Sequence, residues 1–232
     1  MKKFWSYVSN GEYCVGTTGQ TVYVFNATTG DEIAKFRDIK YAYNAYFSPL
    51  KNILVVKSAE GRLAIYSLEE MKLIKKFRFS KIDGAQDEGC CFSRDGRKFY
   101  NIEKHDFLHS QIAIYNTDTF ERIHIIDGGD KVEPKYIESD DSGRLFVLGF
   151  LRNKDGICRC GFISKFDDYK MLKLYEIPEQ EYDFYSAFKN LEIMGFTDKS
   201  KKWSGFAYEG KDITGIENLK YPLGELWEKY AE

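Results

Sequence analysis

The sequence is poor in the residues and patterns that mark many common protein classes. It has 4 prolines and 3 histidines in 232 residues. No charge sign predominates: 34 Lys and Arg stand against 36 Asp and Glu, a net of −2. That balance excludes nucleic-acid binding driven by bulk charge, and polybasic attachment to a membrane. No run approaches the roughly 18 apolar residues of a membrane-crossing helix. The start, Met1-Lys2-Lys3-Phe4-Trp5-Ser6-Tyr7, is too polar for a secretory signal, and the end, Lys229-Tyr230-Ala231-Glu232, carries no lipidation box. The cysteines are Cys14, Cys90, Cys91, Cys158 and Cys160. An odd number in close pairs reads as reduced thiols, so a cytoplasmic location is expected. Cys158 and Cys160 share one strand face and read as two small hydrophobes. No second Cys or His pair stands at zinc spacing, so no metal is expected.

Aromatic residues are abundant. Tyr 17, Phe 18 and Trp 3 together make 16% of the chain, within an apolar total of 43%. A core of useful size can be built, and the aromatic and β-branched bias favours strands.

The chain repeats a short phrase: an apolar strand, a polar turn and a second apolar strand. Its copies begin Val22-Tyr23-Val24-Phe25, Leu63-Ala64-Ile65-Tyr66 and Ile112-Ala113-Ile114-Tyr115, with weaker ones at Gly161-Phe162-Ile163-Ser164 and Gly205-Phe206-Ala207-Tyr208. Taking the last residue of each as an anchor, the spacings are 41, 49, 49 and 44. Eight positions after each anchor stands an aliphatic residue: Ile33, Ile74, Ile123, Leu172 and Ile216. Upstream of each phrase lies another strand-and-turn, at Ser9-Asn10-Gly11, Ser48-Pro49-Leu50, Ser93-Arg94-Asp95-Gly96 and Ser139-Asp140-Asp141-Ser142-Gly143. Asn-Gly and Asp-Gly supply the positive φ of tight hairpins. Each unit therefore reads as four short antiparallel strands, A to D. A lone sheet of this kind has two apolar faces that both need cover, and stacking sheets face to face supplies it.

This pattern, over residues 3 to 218, resembles the bacterial WD-repeat-like β-propellers, although the Gly-His and Trp-Asp dipeptides of strict WD repeats are absent. The resemblance implies an all-β fold of five four-stranded blades, at about 3–38, 39–82, 83–130, 131–178 and 179–218. The N-terminus reads as strand A of its own blade, so closure would rest on side-chain packing between the first and fifth blades. The segment 221–232 has Pro222 and apolar residues at 223, 226, 227 and 230, which predicts a short capping helix. Lys35, Lys75, Lys76, Lys170 and Lys173 fall in the outermost strands, where lysine blocks edge-to-edge pairing.

Catalytic signatures are missing: there is no Gly-x-Ser-x-Gly, phosphate loop or His-Glu-x-x-His. The loop Glu103-x-His105-Asp106-x-x-His109 has ligand-type side chains but reads as a solvated loop. The expected function is therefore non-catalytic protein interaction, with no cofactor, no nucleic acid and no membrane. Self-association stays open. The resemblance implies docking on the face carrying the D–A and B–C loops. Tyr41, Tyr43, Asp87, Lys135, Arg152 and Tyr182 are the candidate binding residues there. The alternative is a glycosidase-like or sugar-binding propeller using carboxylates from several units: Asp87, Glu88, Glu133, Glu181 and Asp183.

Overall fold

A computed structural model describes residues 2–82, 89–106, 109–127, 129, 132–140, 142–152, 158–167, 169–177, 194–196, 203–205, 207–208 and 227–228. The fold is all-β, with four antiparallel sheets of four strands, each paired in chain order. The chain divides into two compact units: Met1–Ser48, Asn52–Phe79 and Asp183–Leu219 form the first, and Pro49–Lys51, Ser80–Tyr182 and Lys220–Glu232 the second.

The first unit begins with β1 (Lys2–Lys3). Its first sheet is β2 (Ser6–Ser9), β3 (Tyr13–Thr17), β4 (Val22–Asn26) and β5 (Glu32–Phe36). Its second is β6 (Ala42–Phe47), β7 (Ile53–Ser58), β8 (Arg62–Ser67) and β9 (Lys72–Arg78). The alternation seen in the sequence sends Val15, Val22, Val24 and Phe36 of one sheet against Ala45, Leu54, Val56, Ala64 and Tyr66 of the other. Burying each large side chain contributes about 1.5–3 kcal/mol. Phe36 stacks on Tyr66, with centroids 4.2 Å apart. The opposite face of the first sheet carries Phe4, Tyr7, Cys14 and Phe25. Gly16 lets the Phe4 ring lie flat on the backbone, because a Cβ there would come within 2.5 Å of it.

The second unit holds the third sheet, β10 (Cys90–Phe92), β11 (Lys98–Lys104), β12 (Ser110–Asn116) and β13 (Arg122–Asp127). It also holds the fourth: β14 (Val132–Ser139), β15 (Leu145–Arg152), β16 (Cys158–Asp167) and β17 (Lys170–Ile177). Tyr100, Ile102, Ile112 and Ile114 meet Ile137, Leu145, Val147, Phe162 and Phe166 in one core.

The turns repeat the same chemistry. Asn10 Oδ1 accepts the N–H groups of Glu12 and Tyr13, Asp95 Oδ1 that of Arg97, and Asp140 Oδ1 those of Ser142 and Arg144. Between the third and fourth strands, Asn26 and Asn116 play the same part for Thr28, Thr29, Asp118 and Thr119. Each of these second turns closes on a residue of positive φ: Gly30, Met71, Phe120 and Tyr169. The outermost strand then carries one bulge, between Val24 and Phe25, Ile65 and Tyr66, Ile114 and Tyr115, and Lys165 and Phe166 of its neighbour. The extra residues are Ile33, Ile74, Ile123 and Leu172. They are the aliphatics that recur eight positions after each anchor, and they are 42%, 53%, 50% and 54% exposed. A bulge disrupts the regular alternation of side chains, so the apolar recurrence marks a surface position.

Three further expectations are revised. The aromatic anchor of the fourth repeat is Phe166, not Ser164, because its turn is two residues shorter than the others. Ser164 is buried and donates to the Val147 carbonyl. The N-terminus does not simply open the first sheet: Lys2–Lys3 pairs antiparallel with β20 (Ala207–Tyr208), a strand of the last repeat. The last repeat is otherwise described only at β18 (Met194–Phe196) and β19 (Trp203–Gly205), which pair with each other, so the described four-stranded sheets number four and a fifth blade is not established. The expected helix at 221–232 lies outside the described residues except for Trp227 and Glu228, and two residues do not make a helix. Trp227 is buried, its ring 5.0 Å from Tyr175 and 6.0 Å from Phe146.

Candidate functional site

Strands β6 and β14 begin alike. Each carries a bulge near its start, where one extra residue is pushed out of the ladder: Tyr43 in β6 and Lys135 in β14. In each the freed carbonyl turns to the preceding sheet of its own unit. Tyr43 O accepts the Thr17 hydroxyl at 3.0 Å, and Lys135 O accepts the Gly89 N–H at 2.7 Å. Bulges of this kind re-aim side chains and recur beside binding sites.

In the first unit the bulge gathers aromatics. Tyr43 meets Trp5 edge to face at 6.0 Å. Trp5 is fixed by its N–H to Thr17 O at 2.7 Å. Its ring lies over Gly19, where a Cβ would stand 3.1 Å from it. Gly19 in turn exchanges two backbone hydrogen bonds with Ala42, at 3.0 and 3.2 Å. Tyr41 precedes Ala42 with φ of 51° and is 51% exposed, while Trp5 is 38% exposed. A left-handed backbone at a bulky residue costs on the order of 1–2 kcal/mol. The conformation is held by the Ala59 N–H, which donates to Tyr41 O at 3.0 Å, and by the Ser58 hydroxyl on Lys40 O at 2.6 Å.

In the second unit the bulge gathers charge. Glu133 is almost fully buried and receives three cations. Lys135 Nζ lies 2.5 Å and Lys104 Nζ 3.4 Å from its Oε1, and Arg152 Nη2 bonds its Oε2. Gly149 makes this packing reachable, since a Cβ there would collide with the Glu133 carbonyl. Burial alone would raise the carboxyl pKa, but Lys135 first, then Lys104 and Arg152, outweigh it and hold it at about 2. Glu133 is therefore an anion at neutral pH, and a poor proton donor.

The structure thus brings Lys135 and Arg152 together, through Glu133. It places Tyr41 and Tyr43 together in the first unit. Asp87 and Tyr182 lie outside the described residues, as do Glu88, Glu181 and Asp183. Trp5 and Lys104 were missed. Trp5 had a signal, since it immediately precedes a first strand as Tyr41 does, whereas nothing in the pattern marks Lys104. In the segment Glu103–His109, read as a solvated loop, the ligand-type side chains part company. Glu103 is buried and accepts from Tyr115 OH at 2.5 Å and Asn101 Nδ2 at 3.0 Å, while His109 Nδ1 meets Asp106 at 2.5 Å.

No protein-family model matches the chain, and no curated protein matches it. Solved structures do. Hydrazine synthase of Kuenenia stuttgartiensis superposes with a TM-score of 0.64 at 17% identity, over 76% of this chain and 50% of that one. The structure of U3-55K gives 0.55 at 12%, over 75% and 51%. The WD40 repeats of RRP9 give 0.54 at 12%, over 75% and 51%. At the level of the fold the chain resembles the WD-repeat-like β-propellers. The chain spans about half the length of these structures. In propeller terms each four-stranded sheet is a blade. Tyr41, Tyr43, Glu133 and Lys135 lie at the start of strand A of their blades, and Lys104 and Arg152 at the end of strand B.

Proposed function

We propose that this propeller-type chain is a non-catalytic scaffold that binds another protein through the Trp5–Tyr41–Tyr43 shelf of its first unit. The observation that carries this is Tyr41. A half-exposed aromatic held at positive φ by two flanking hydrogen bonds is strained and presented to solvent. Strained backbone of this kind clusters at binding sites, and exposed Trp and Tyr are the usual anchors of protein interfaces. WD40 propellers among the structural neighbours support an interaction scaffold in general. An odd number of cysteines in close pairs supports a cytoplasmic setting.

The glycosidase-like alternative needs a free acid and a free nucleophile. Glu133, its one described candidate, is held by three cations and ionised, which favours a structural role.

The test compares wild type with the Trp5→Ala/Tyr41→Ala double variant in affinity capture from the host, quantified by mass spectrometry. A partner enriched by wild type and lost from a variant of unchanged circular dichroism supports docking. Identical capture by both, with a sugar that raises the wild-type melting temperature, overturns it in favour of the alternative.

A further inference from the structure

Residues Lys2–Trp5 form a strap with three attachments, all inside the first unit. At its start β1 pairs with β20 of the last repeat, Lys2 opposite Tyr208 and Lys3 opposite Ala207. In its middle Phe4 is fully buried, its ring seated on Gly16. Tyr7, Tyr23 and Phe25 surround that ring, with centroids 5.6, 5.8 and 6.0 Å away. At its end the Trp5 N–H donates to Thr17 O at 2.7 Å and the indole lies over Gly19. Phe4 and Trp5 are consecutive, yet one is fully buried and the other is 38% exposed. The direction of the backbone at this point therefore decides which way the indole faces.

Thr17 carries the attachment on to the rest of the shelf. Its carbonyl holds Trp5, and its hydroxyl donates to Tyr43 O at 3.0 Å. Trp5 and Tyr43 then meet edge to face. A continuous line of contacts thus runs from the last repeat through β1, Phe4 and Trp5 to Tyr43. Its links are unequal. Phe4 is locked in a packed aromatic cluster that opens only with the unit around it. The β1–β20 ladder is two residues long. A single hydrogen bond adds little net stability, and so short a ladder opens locally while the rest of the unit stays folded. Once it opens, nothing fixes the strap before Phe4, and the indole keeps only the Thr17 bond and its contacts with Gly19 and Tyr43.

We propose that closure of the first unit controls the docking shelf: Trp5 is presented to the partner while β1 is paired with β20, and loses its place when that pairing opens. The effect on docking rests on the function proposed above, while the coupling of Trp5 to β20 does not. A partner that needs Trp5 in place binds the paired state better, so by linkage its binding strengthens the β1–β20 pairing by the same factor. The last repeat thereby acts on the shelf without touching the partner.

Fluorine NMR of the full chain labelled with fluorotryptophan tests the coupling. The 3 tryptophans give separate resonances, and that of Trp5 is assigned by its loss in Trp5→Phe. The Lys2→Pro/Lys3→Pro variant removes whichever N–H of β1 faces β20, and Ala207→Pro breaks the same ladder from the other side. Both should move the Trp5 resonance towards its position in the unfolded chain and lower partner capture at least threefold. The Trp227 resonance, from the second unit, stays where it is. Should Ala207→Pro unfold the last repeat, the lysine pair variant decides alone. A Trp5 resonance that stays in place in that variant, or one that moves only together with Trp227, overturns the coupling. The two proposals separate cleanly. If the proline variants move Trp5 while Trp5→Ala/Tyr41→Ala captures the same proteins as wild type, docking at the shelf fails and the coupling stands. If the alanine pair loses its partner while the proline variants leave both Trp5 and capture unchanged, docking stands and the coupling fails.

Discussion

Replacing Glu133 by Gln keeps the shape of the side chain and removes its charge. Lys104, Lys135 and Arg152 then surround a neutral amide in a nearly dry site. Breaking a buried ion pair by deleting one partner costs about 3–5 kcal/mol. The carboxyl itself supplies a second figure. Its pKa falls from 4.5 to about 2, and that displacement corresponds to about 3 kcal/mol. The two agree on about 3 kcal/mol, which for a chain of this size lowers the melting temperature by about 6–12 °C. The pH dependence gives an independent check. A depressed carboxyl stabilises the fold fully above its unfolded value, near 4.5, and loses that contribution as pH falls towards about 2. Urea midpoints of wild type and variant should therefore differ by a constant amount from pH 7 to 5 and converge between pH 4.5 and 2. A variant within about 0.5 kcal/mol of wild type at pH 7, or two curves that stay parallel down to pH 2, would refute the reasoning.

Other substitutions probe separate features. Gly149→Ala places a Cβ 2.8 Å from Pro134 Cα and from the Phe162 ring, and should cost about 1–3 kcal/mol by chemical denaturation. Gly30→Ala forces a side chain to φ 77°, and should cost about 1 kcal/mol. Trp227→Ala removes the ring packed on Phe146 and Tyr175; a thermal midpoint lowered by the equivalent of about 3 kcal/mol is expected, and an unchanged one would show that the C-terminal segment does not cap the fourth sheet.

The repeat was readable because sheet alternation and turn chemistry are local. Asn10, Asn26, Asp95 and Asn116 each announce a turn whose hydrogen bonds close within a few residues. What was not legible depends on backbone irregularity. The recurrence of Ile33, Ile74, Ile123 and Leu172 was visible, but not the bulge that puts them at the surface. The shortened fourth turn hid Phe166 as the true counterpart of Phe25, Tyr66 and Tyr115. The candidate site divides the same way. Tyr41 and Tyr43 were visible as aromatics entering a first strand, and Lys135 and Arg152 as basic residues near loops. Their convergence on Glu133 was not visible, because it requires a bulge in β14, a glycine in β15 and a lysine from a different sheet to meet.

The pairing of Lys2–Lys3 with Ala207–Tyr208 joins residues roughly 200 positions apart. The first unit as a whole draws on both ends of the chain, whereas almost all of the second comes from the continuous stretch Ser80–Tyr182. During synthesis the first two sheets emerge complete, and only Lys2–Lys3 waits for its partner strand. The second unit has nearly all its sequence in hand long before. Contacts between distant residues form slowly, so Lys2–Lys3, although made first, is the last segment to find its place.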